Sequence, residues 1–426
     1  MPHFRPFKGI RYNKEKVPAL STVTAPPYDV IDEEGRRKLI AGSDHNIVRL
    51  ILPEDEADVD RYTVAARLLE RWLTEGVLVP DETPGIYVVS QAWSDGETTH
   101  RRTGFIAAVT LEPFGEGKIY PHESTLSGPK EDRLKLIKAT RANLSQVFSL
   151  FPDENGDVDA WLRAATAGTP EAESTDDAGV VTKLWCEFDE DRIGELVAAM
   201  SDREIFIADG HHRYETALNY HRCRTETGGP ADAIMMLCVA MNNEGLVTYP
   251  THRLLPSDLV EPEALIQRLG VGFDVHPIAT FSHHSGELAG VLESDTTPNV
   301  MALYVGKGRP PMRIRPKDGV ELFPNTPSRS AAWQALDVSI LQYAILERLL
   351  GLTLERVTSG ARIGYVHDAD EAVRKVDEGE FSAAFILRPT PVSAVARVAS
   401  HLEKMPPKST YFYPKALTGM VLRQLW

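Results

Sequence analysis

The sequence predicts a mixed α/β protein in which mixed sheets are flanked by helices. Two strand-like runs are separated by a polar connector containing Asp95-Gly96, which is a hairpin signal. The later chain alternates strand-like and helix-like runs, which is typical of α/β layers. A chain of 426 residues is too long for one ordinary core. The character of the chain changes after residues 256–262, so we expect one region at 1–256 and an α/β domain at 257–426.

The elements of the first region follow from hydrophobic spacing. Residues 57–76 and 131–148 carry apolar side chains at helical intervals, which predicts two helices. Residues 85–93 and 103–111 are the two strand-like runs of the predicted hairpin. The short apolar run 204–208 predicts a buried strand.

A second hairpin is predicted from the apolar run that begins at residue 233 and the segment that follows it, up to residue 255. After this hairpin, strands and helices are expected to alternate as layers. The alternating runs are 300–306, 337–351, 362–368, 370–379, 381–387 and 391–405.

Composition limits the class of protein. The net charge is −15, whereas a nucleic-acid binder usually carries a basic face, so the charge argues against a nucleic-acid partner. The apolar run 234–241 is far too short to span a bilayer, so we expect a soluble cytoplasmic protein without a membrane partner. The three cysteines show no CxxC pairing, which argues against a disulfide scaffold or a zinc ribbon. The sequence leaves the oligomeric state open.

The stretch IFIADGHHRYETAL (205–218) joins the predicted strand to a predicted helix. Asp209 is expected to cap that helix, and Gly210 permits a tight turn or the close approach of a ligand. His211, His212 and Arg213 then place cationic groups at the positive end of the helix dipole, so helix stability does not explain them. A bound anion would explain them, because the first-turn amides of a helix bind phosphate readily.

Two other readings of this junction stay open. Its histidines and aspartate are a possible metal-ligand set, although adjacent helical histidines point about 100° apart and are poorly placed to chelate one ion together. Alternatively, the junction is only a capped helix whose histidines face solvent or pack on the sheet.

Two further segments contain groups suited to catalysis. In APPYDVID the double proline stiffens the loop before Tyr28 and Asp29, and a carboxylate held there can act as a base or coordinate Mg²⁺ through water. An ordinary Asx turn is the alternative. In YPTHRLL, His252 and Arg253 lie at the exit of a predicted strand, and Lys415 follows an aromatic cluster in KSTYFYPK.

The segment IYPHESTLSGPKEDRLKL (119–136) carries a second group of charges. His122 and Glu123 precede a Gly-Pro turn, and Lys130 and Arg133 are expected on the first turn of the following helix. Two helix starts with cations could converge on one polyanion. A solvated charged turn is the alternative.

No P-loop, GxGxxG, GxSxG or kinase motif set is present. Six ordered motifs nevertheless resemble a bacterial family, the domain of unknown function DUF1015, over nearly the whole chain. They are FRPFKGIRYN, APPYDVI, PHESTLSGPKEDRL, ADGHHRYETAL, PTHRLL and KSTYFYPK. The DGHHR element is also similar to a helix-starting loop of the ParB/sulfiredoxin-like superfamily, which takes part there in nucleotide or phosphate binding. The free-serine kinases of that superfamily phosphorylate the amino acid itself.

The resemblance implies a phosphotransferase acting on a small hydroxyl compound, with free L-serine as the first acceptor and ATP, ADP or pyrophosphate as the donor. The expected region 1–256 would be catalytic, and the 408–415 loop would close its site. The phosphate- or nucleotide-binding residues would be Gly210, His211, His212, Arg213, Lys130 and Arg133. The catalytic residues would be Glu123, Asp29, Asp209 and His212. Substrate would contact Tyr28, His122, His252, Arg253 and Lys415.

Asp209 and Glu123 would also hold Mg²⁺. A metal-dependent phosphatase or other hydrolase using His122, His211 and His252 is one alternative. A non-catalytic, ParB-like nucleotide-binding module is another.

Overall fold

The structure is a computed structural model. It describes residues 2–96, 98–123, 127–224, 228–278, 281, 284, 286–324, 329–353, 356 and 363–426. The chain divides into two compact units. The first contains Met1–Pro121, Thr125–Val247 and Pro414–Trp426, and the second contains His122–Ser124 and Thr248–Tyr413. The domain division at residue 256 and the closing role of the 408–415 loop stay predictions.

A nine-stranded sheet forms the centre of the first unit. Its order is β6-β11-β8-β12-β5-β4-β10-β9, and β1 pairs with β5 beside this path. The pairs β6/β11 and β8/β12 are parallel and the other pairs are antiparallel, so the sheet is mixed. Its strands are β1 (Phe4–Arg5), β4 (Ile86–Ser94), β5 (Thr99–Thr110), β6 (Ile119–Pro121), β8 (Val147–Phe151), β9 (Ala172–Thr175), β10 (Val181–Glu187), β11 (Ile205–Asp209) and β12 (Ala233–Ala240).

Helices cover this sheet. Apolar residues of this sheet form a single core with three helices, Asp157–Ala165, Glu190–Met200 and His211–Arg222. The helices are α1 (Glu33–Gly42), α2 (Val48–Ile51), α3 (Arg61–Thr74), α4 (Ser127–Thr140), α5 (Asp157–Ala165), α6 (Glu190–Met200) and α7 (His211–Arg222). Short 3-10 turns occur at Leu20–Thr22, Tyr28–Val30 and Pro230–Asp232. Side-chain caps start several helices; the Asp60 carboxylate, for example, accepts the backbone N–H groups of Tyr62 and Thr63 at the start of α3.

A second, smaller sheet of the first unit has the order β3-β2-β21-β7. It supports a separate core with α2 and α3. Its strands are β2 (Gly9–Tyr12), β3 (Leu78–Pro80), β7 (Ala142–Asn143) and β21 (Leu422–Gln424).

The second unit is built on a six-stranded sheet of order β15-β17-β16-β19-β14-β18, in which the pairs are antiparallel. Its strands are β14 (His252–Pro256), β15 (Phe273–Pro277), β16 (Met301–Tyr304), β17 (Met312–Pro316), β18 (Gly364–Val366) and β19 (Phe381–Ile386). A two-stranded sheet pairs β13 (Val247–Tyr249) with β20 (Tyr411–Tyr413). The helices are α8 (Pro262–Gly272), α9 (Glu287–Ser294), α10 (Ala331–Gln334), α11 (Asp337–Ser339) with the following π-helix Ile340–Leu349, α12 (Ala369–Asp377) and α13 (Val392–Ala399).

The predicted fold class of mixed sheets with flanking helices is confirmed. The first predicted hairpin is also confirmed, since β4 and β5 pair antiparallel. The second is wrong: β12 pairs with β5 and β8, whereas β14 pairs with β18 and β19. Every residue of β12 is buried, and a strand buried on both faces carries no alternation that could indicate its partner.

The helix predicted over 131–148 is right only in its first part. α4 ends at Thr140, Arg141 adopts a left-handed φ of 49°, and β8 begins at Val147. The five residues of β8 are all buried, so their apolar run also fits a helical spacing. Over the described residues, no helix is long and apolar enough to cross a membrane.

Candidate functional site

The junction between β11 and α7 is the centre of the candidate site. β11 ends at Asp209, and Gly210 occupies the N-cap position with φ 89° and ψ 28°. The prediction that Asp209 caps the helix is therefore wrong, and among the described side chains none caps α7. Glycine takes the cap because this left-handed conformation strains any residue with a Cβ.

A β-bulge turns Asp209 away from the core. On β8, Ser149 lies opposite Ile207 and Phe148 lies opposite Asp209. The register between β11 and β8 therefore shifts between Ile207 and Asp209. Residues directly opposite one another in an antiparallel pair share a face, so Asp209 lies on the face of Phe148. Without the bulge, strict alternation would place Asp209 on the face of Ile207, which packs in the core.

Two cations converge on the Asp209 carboxylate. Lys415 Nζ lies 2.8 Å from Oδ1, and Arg213 Nη2 lies 2.6 Å from Oδ2. Burial opposes the ionisation of Asp209, but Lys415 and Arg213 outweigh it and, with His211, hold the pKa of the carboxyl below its ordinary value. A carboxylate stabilised in this way is a poor proton acceptor. The geometry therefore favours a charge-organising role for Asp209 over proton transfer, and its predicted catalytic role stays a prediction.

Arg213 is held on several sides. Its Nη1 donates to the carbonyl of Gln146, and its guanidinium lies so close to Gly210 that an added Cβ there would stand 2.8 Å from Nε. The side chain is only 9% exposed, and Nε has no hydrogen-bond partner among the described residues. Gly210 thus has a second function beyond the turn, because it leaves room for this guanidinium.

Arg102 belongs to the same cluster, although no sequence motif predicts its position there. It is buried on β5, its guanidinium carbon lies 4.7 Å from the centre of the Phe148 ring, and the charge of Asp209 acts on it. Its Nη2 donates to the carbonyl of Pro414, the residue before Lys415.

The two histidines of the junction differ in exposure. His211 is buried and His212 is half-buried, in the first turn of α7. These positions agree with a helix start lined by imidazoles. Their phosphate-binding roles, and the catalytic role of His212, stay predictions.

The charged residues of α4 lie beside α7. α4 begins at Ser127, so Lys130 is its fourth residue and lies in the first turn, as predicted. Arg133 is the seventh residue and lies in the second turn, so its predicted first-turn position is wrong. Lys130 Nζ lies 2.9 Å from the Glu215 carboxylate of α7. Arg133 pairs with Asp132 and donates to the carbonyl of Ile51 at 2.7 Å.

Arg133 of α4 and Arg213 of α7 both line one cavity of about 60 Å³. Its other polar lining residues are Asn143, Ser145 and Thr216. One cation of α4 and one of α7 thus line the same cavity, and the convergence of the two helix starts on one polyanion stays a prediction.

Tyr28 and Asp29 lie near this cluster. Arg133 Cζ lies 4.2 Å from the centre of the Tyr28 ring. Burial raises the pKa of the Tyr28 hydroxyl above its ordinary value, and the charges of Asp29, Arg213, Arg133 and Asp209 also act on it. Asp29 itself is exposed on its 3-10 turn. The proline-stiffened loop thus presents a ring and a carboxylate beside the junction.

His122 and Glu123 belong to the second unit, where they contact the segment 405–412. The His122 carbonyl accepts the N–H of Met405 at 2.7 Å, and its Nε2 hydrogen-bonds with Thr410 Oγ1 at 2.9 Å. Glu123 Oε1 accepts the N–H of Ser409 at 3.2 Å. These contacts hold backbone in place, and the substrate and catalytic roles of the two residues stay predictions.

His252 and Arg253 are also buried parts of the second unit. The N–H of Leu387 donates to His252 Nδ1 at 3.2 Å, and Arg253 Nη2 donates to the carbonyls of Pro407 and Lys408. Burial, with the charges of Arg253 and His367, lowers the pKa of His252 to about 3. A neutral, hydrogen-bonded imidazole of this kind fits a structural role.

The predicted Mg²⁺ ligands fit the ion poorly. Both carboxylate oxygens of Asp209 already accept from cations, so a metal would have to displace Lys415 and Arg213. Within the described ranges, no three histidine, cysteine or acidic residues are placed to hold one ion.

These features define a mixed α/β protein whose first unit gathers arginine and lysine side chains at a strand-to-helix junction. The chain belongs to the family described as "Protein of unknown function (DUF1015)", whose model matches residues 4–339. No curated protein matches the chain.

Three solved structures show similarity at low sequence identity. A conserved hypothetical protein from Pyrococcus furiosus is 14% identical, with 69% of this chain and 87% of that chain covered and a TM-score of 0.34. A free serine kinase in complex with AMP is 13% identical, with 69% and 83% covered and a TM-score of 0.35. A C-terminally truncated SbnI from Staphylococcus aureus is 9% identical, with 74% and 85% covered and a TM-score of 0.35.

Proposed function

We propose that the protein is a phosphotransferase that holds phosphate at the start of α7 and transfers a phosphoryl group to a small hydroxyl compound. The observation that carries the proposal is the convergence of Arg213 and Lys415 on Asp209 at that helix start. Both cations are largely buried, with side chains 9% and 15% exposed.

Helix stability argues for a ligand here. A helix start attracts negative charge, and its first amides lack intrahelical acceptors. Arg213 adds positive charge at the first turn of α7, and no described side chain caps that turn. A phosphate would accept from the amides and face both cations, which is a recurring arrangement for phosphate binding.

Each cluster member then has a distinct role. Arg213 and Lys415 bind phosphate oxygens, and Asp209 keeps these two cations in place between turnovers. His211, His212 and the backbone of Gly210 line the same end of the helix. Arg133 and Lys130 add positive charge from α4. Catalysis of phosphoryl transfer consists mainly of such positioning and charge neutralisation.

In the transfer, the bond between the terminal phosphorus and its bridging oxygen breaks, and a bond to the acceptor oxygen forms. The acceptor hydroxyl proton passes to a carboxylate, for which Asp29 is the candidate within the first unit. Asp29 is exposed on its 3-10 turn and follows Tyr28, whose ring contacts Arg133 of the cation cluster. Free L-serine is the first acceptor to test, with ATP, ADP or pyrophosphate as donor, because of the similarity of DGHHR to the serine-kinase superfamily.

Pyrophosphate binding, measured by calorimetry, tests the phosphate site. Arg213→Ala removes a charge-assisted hydrogen bond of about 1.5–3 kcal/mol, so we expect Kd to rise about 10- to 100-fold. Arg222→Ala changes an exposed arginine in the last turn of the same helix and should leave Kd unchanged. An unchanged Kd in folded Arg213→Ala protein would contradict the proposal.

A further inference from the structure

Arg102 is a buried cation whose position the proposed chemistry does not explain by itself. Its side chain is among the largest that the described core encloses, with 1% exposure. Burial lowers its pKa to about 9, while the charge of Asp209 opposes that shift. Enclosing a guanidinium is costly, and an apolar side chain of similar volume would often pack as well. A specific use for the charge or the hydrogen bonds is therefore expected.

The hydrogen bonds of Arg102 lead to Lys415 by two routes. Nη2 donates to the carbonyl of Pro414, in the peptide group that precedes Lys415. Nη2 also donates to Oε1 of Gln91, which lies directly opposite Arg102 on β4. The Gln91 amide in turn donates to the carbonyl of Lys415 at 3.0 Å. The peptide groups on both sides of the Lys415 Cα are thus fixed to the sheet.

A long side chain such as lysine loses much of its rotamer freedom when it is ordered. Fixing its backbone beforehand removes part of the disorder that a ligand would otherwise have to remove. The Lys415 ammonium is held 2.8 Å from Asp209 in this arrangement.

We propose that Arg102 is a positioning residue for Lys415: with Gln91 it fixes the backbone of Lys415, so that the ammonium stands at Asp209 ready to bind phosphate. The phosphate part of this inference rests on the proposed function. The positioning part concerns the protein alone.

A double-mutant cycle separates positioning from simple loss of stability. We expect Arg102→Gln to raise Kd for pyrophosphate about 2- to 10-fold while Lys415 is present, because the backbone of Lys415 is then less firmly fixed. In a Lys415→Met background the same change should have no further effect on Kd, although it should still lower stability. Equal effects in the two backgrounds, or no effect with Lys415 present, would overturn the inference.

Arg203→Gln is the matched control. Arg203 also lies over a phenylalanine ring, that of Phe151 at 5.7 Å, and also donates to a main-chain carbonyl, that of Pro152. We expect it to lower stability without changing Kd. If Arg102→Gln does not fold, Gln91→Met replaces it, because that change removes the bond to the Lys415 carbonyl at similar volume.

Lysine ¹⁵Nζ NMR gives a readout without phosphate. The resonance assigned to Lys415 by its loss in Lys415→Met should broaden in Arg102→Gln and persist in Arg203→Gln. An unchanged resonance in Arg102→Gln would overturn the positioning role. If wild-type protein fails to bind pyrophosphate while this resonance responds as expected, the proposed function fails and the positioning role stands.

Discussion

Replacing Gly210 by alanine tests whether this glycine makes room for the Arg213 guanidinium. An added Cβ would lie 2.8 Å from Arg213 Nε and 2.9 Å from Cζ and Nη2, closer than real Cβ contacts allow. The Arg213 guanidinium would have to shift, and we expect the shift to weaken its bonds to Asp209 and to the carbonyl of Gln146. The left-handed backbone at φ 89° adds its own strain of about 1–2 kcal/mol.

Gly156 provides a control with the same backbone problem and no neighbour. It occupies the N-cap of α5 at φ 69°, and an added Cβ there meets nothing within 4 Å. Gly156→Ala should therefore lower the free energy of unfolding by about 1–2 kcal/mol. Gly210→Ala should lower it by about 1.5–3 kcal/mol more, the value of a charge-assisted hydrogen bond.

Urea unfolding and pyrophosphate calorimetry measure the two effects. We expect Gly210→Ala to raise Kd at least about tenfold, because Arg213 is displaced, and Gly156→Ala to leave Kd unchanged. If the two variants have equal stability and equal affinity, the close packing of Arg213 on Gly210 does not matter to the site, and the reasoning is refuted.

Two further predictions concern pH. The folded-state pKa of His252 is about 3, below the ordinary value of about 6.5. Between these two pH values the unfolded chain binds more protons than the folded protein. The free energy of unfolding should therefore fall by up to ~1.4 kcal/mol per pH unit as the pH drops through this range. Urea titrations at several pH values measure this slope, which His252→Asn should flatten. His276 is exposed, so His276→Asn should leave the slope unchanged. Equal slopes in the two variants would count against a buried neutral imidazole at His252. The folded-state pKa of Asp209 is lowered, so its contribution is present above about pH 4 and lost as the pH falls further. Lys415→Met should make the acid loss shallower, unlike Lys14→Met at an exposed position, and an unchanged acid profile would contradict the pairing.

The junction shows what local sequence can predict. The strand over 204–208, the turn at Gly210 and the helix carrying Arg213 could all be predicted, because apolar runs and turn residues act locally. The face of the sheet on which Asp209 lies could not be predicted. That face depends on a bulge against β8, and the bulge arises from pairing with a strand that is distant in sequence.

The burial of Arg102 also depends on residues that are distant in sequence. Arg102 precedes a predicted strand without any motif, and its acceptor at Pro414 is 312 residues away along the chain. A charged residue at the start of a strand usually faces solvent, so only the folded sheet identifies it as buried. Lys415 could be predicted as a site residue from its motif, whereas Arg102, which holds its backbone, could not.

Phosphorus NMR tests the central claim most directly. Purified protein would be given ATP, ADP or pyrophosphate in turn, with Mg²⁺ in the buffer, each alone and with L-serine or other small hydroxyl compounds. We predict a new phosphomonoester signal that requires both donor and acceptor and that is strongly reduced in Arg213→Ala. Orthophosphate released equally with and without acceptor, or no turnover with any pair, would contradict the phosphotransferase assignment.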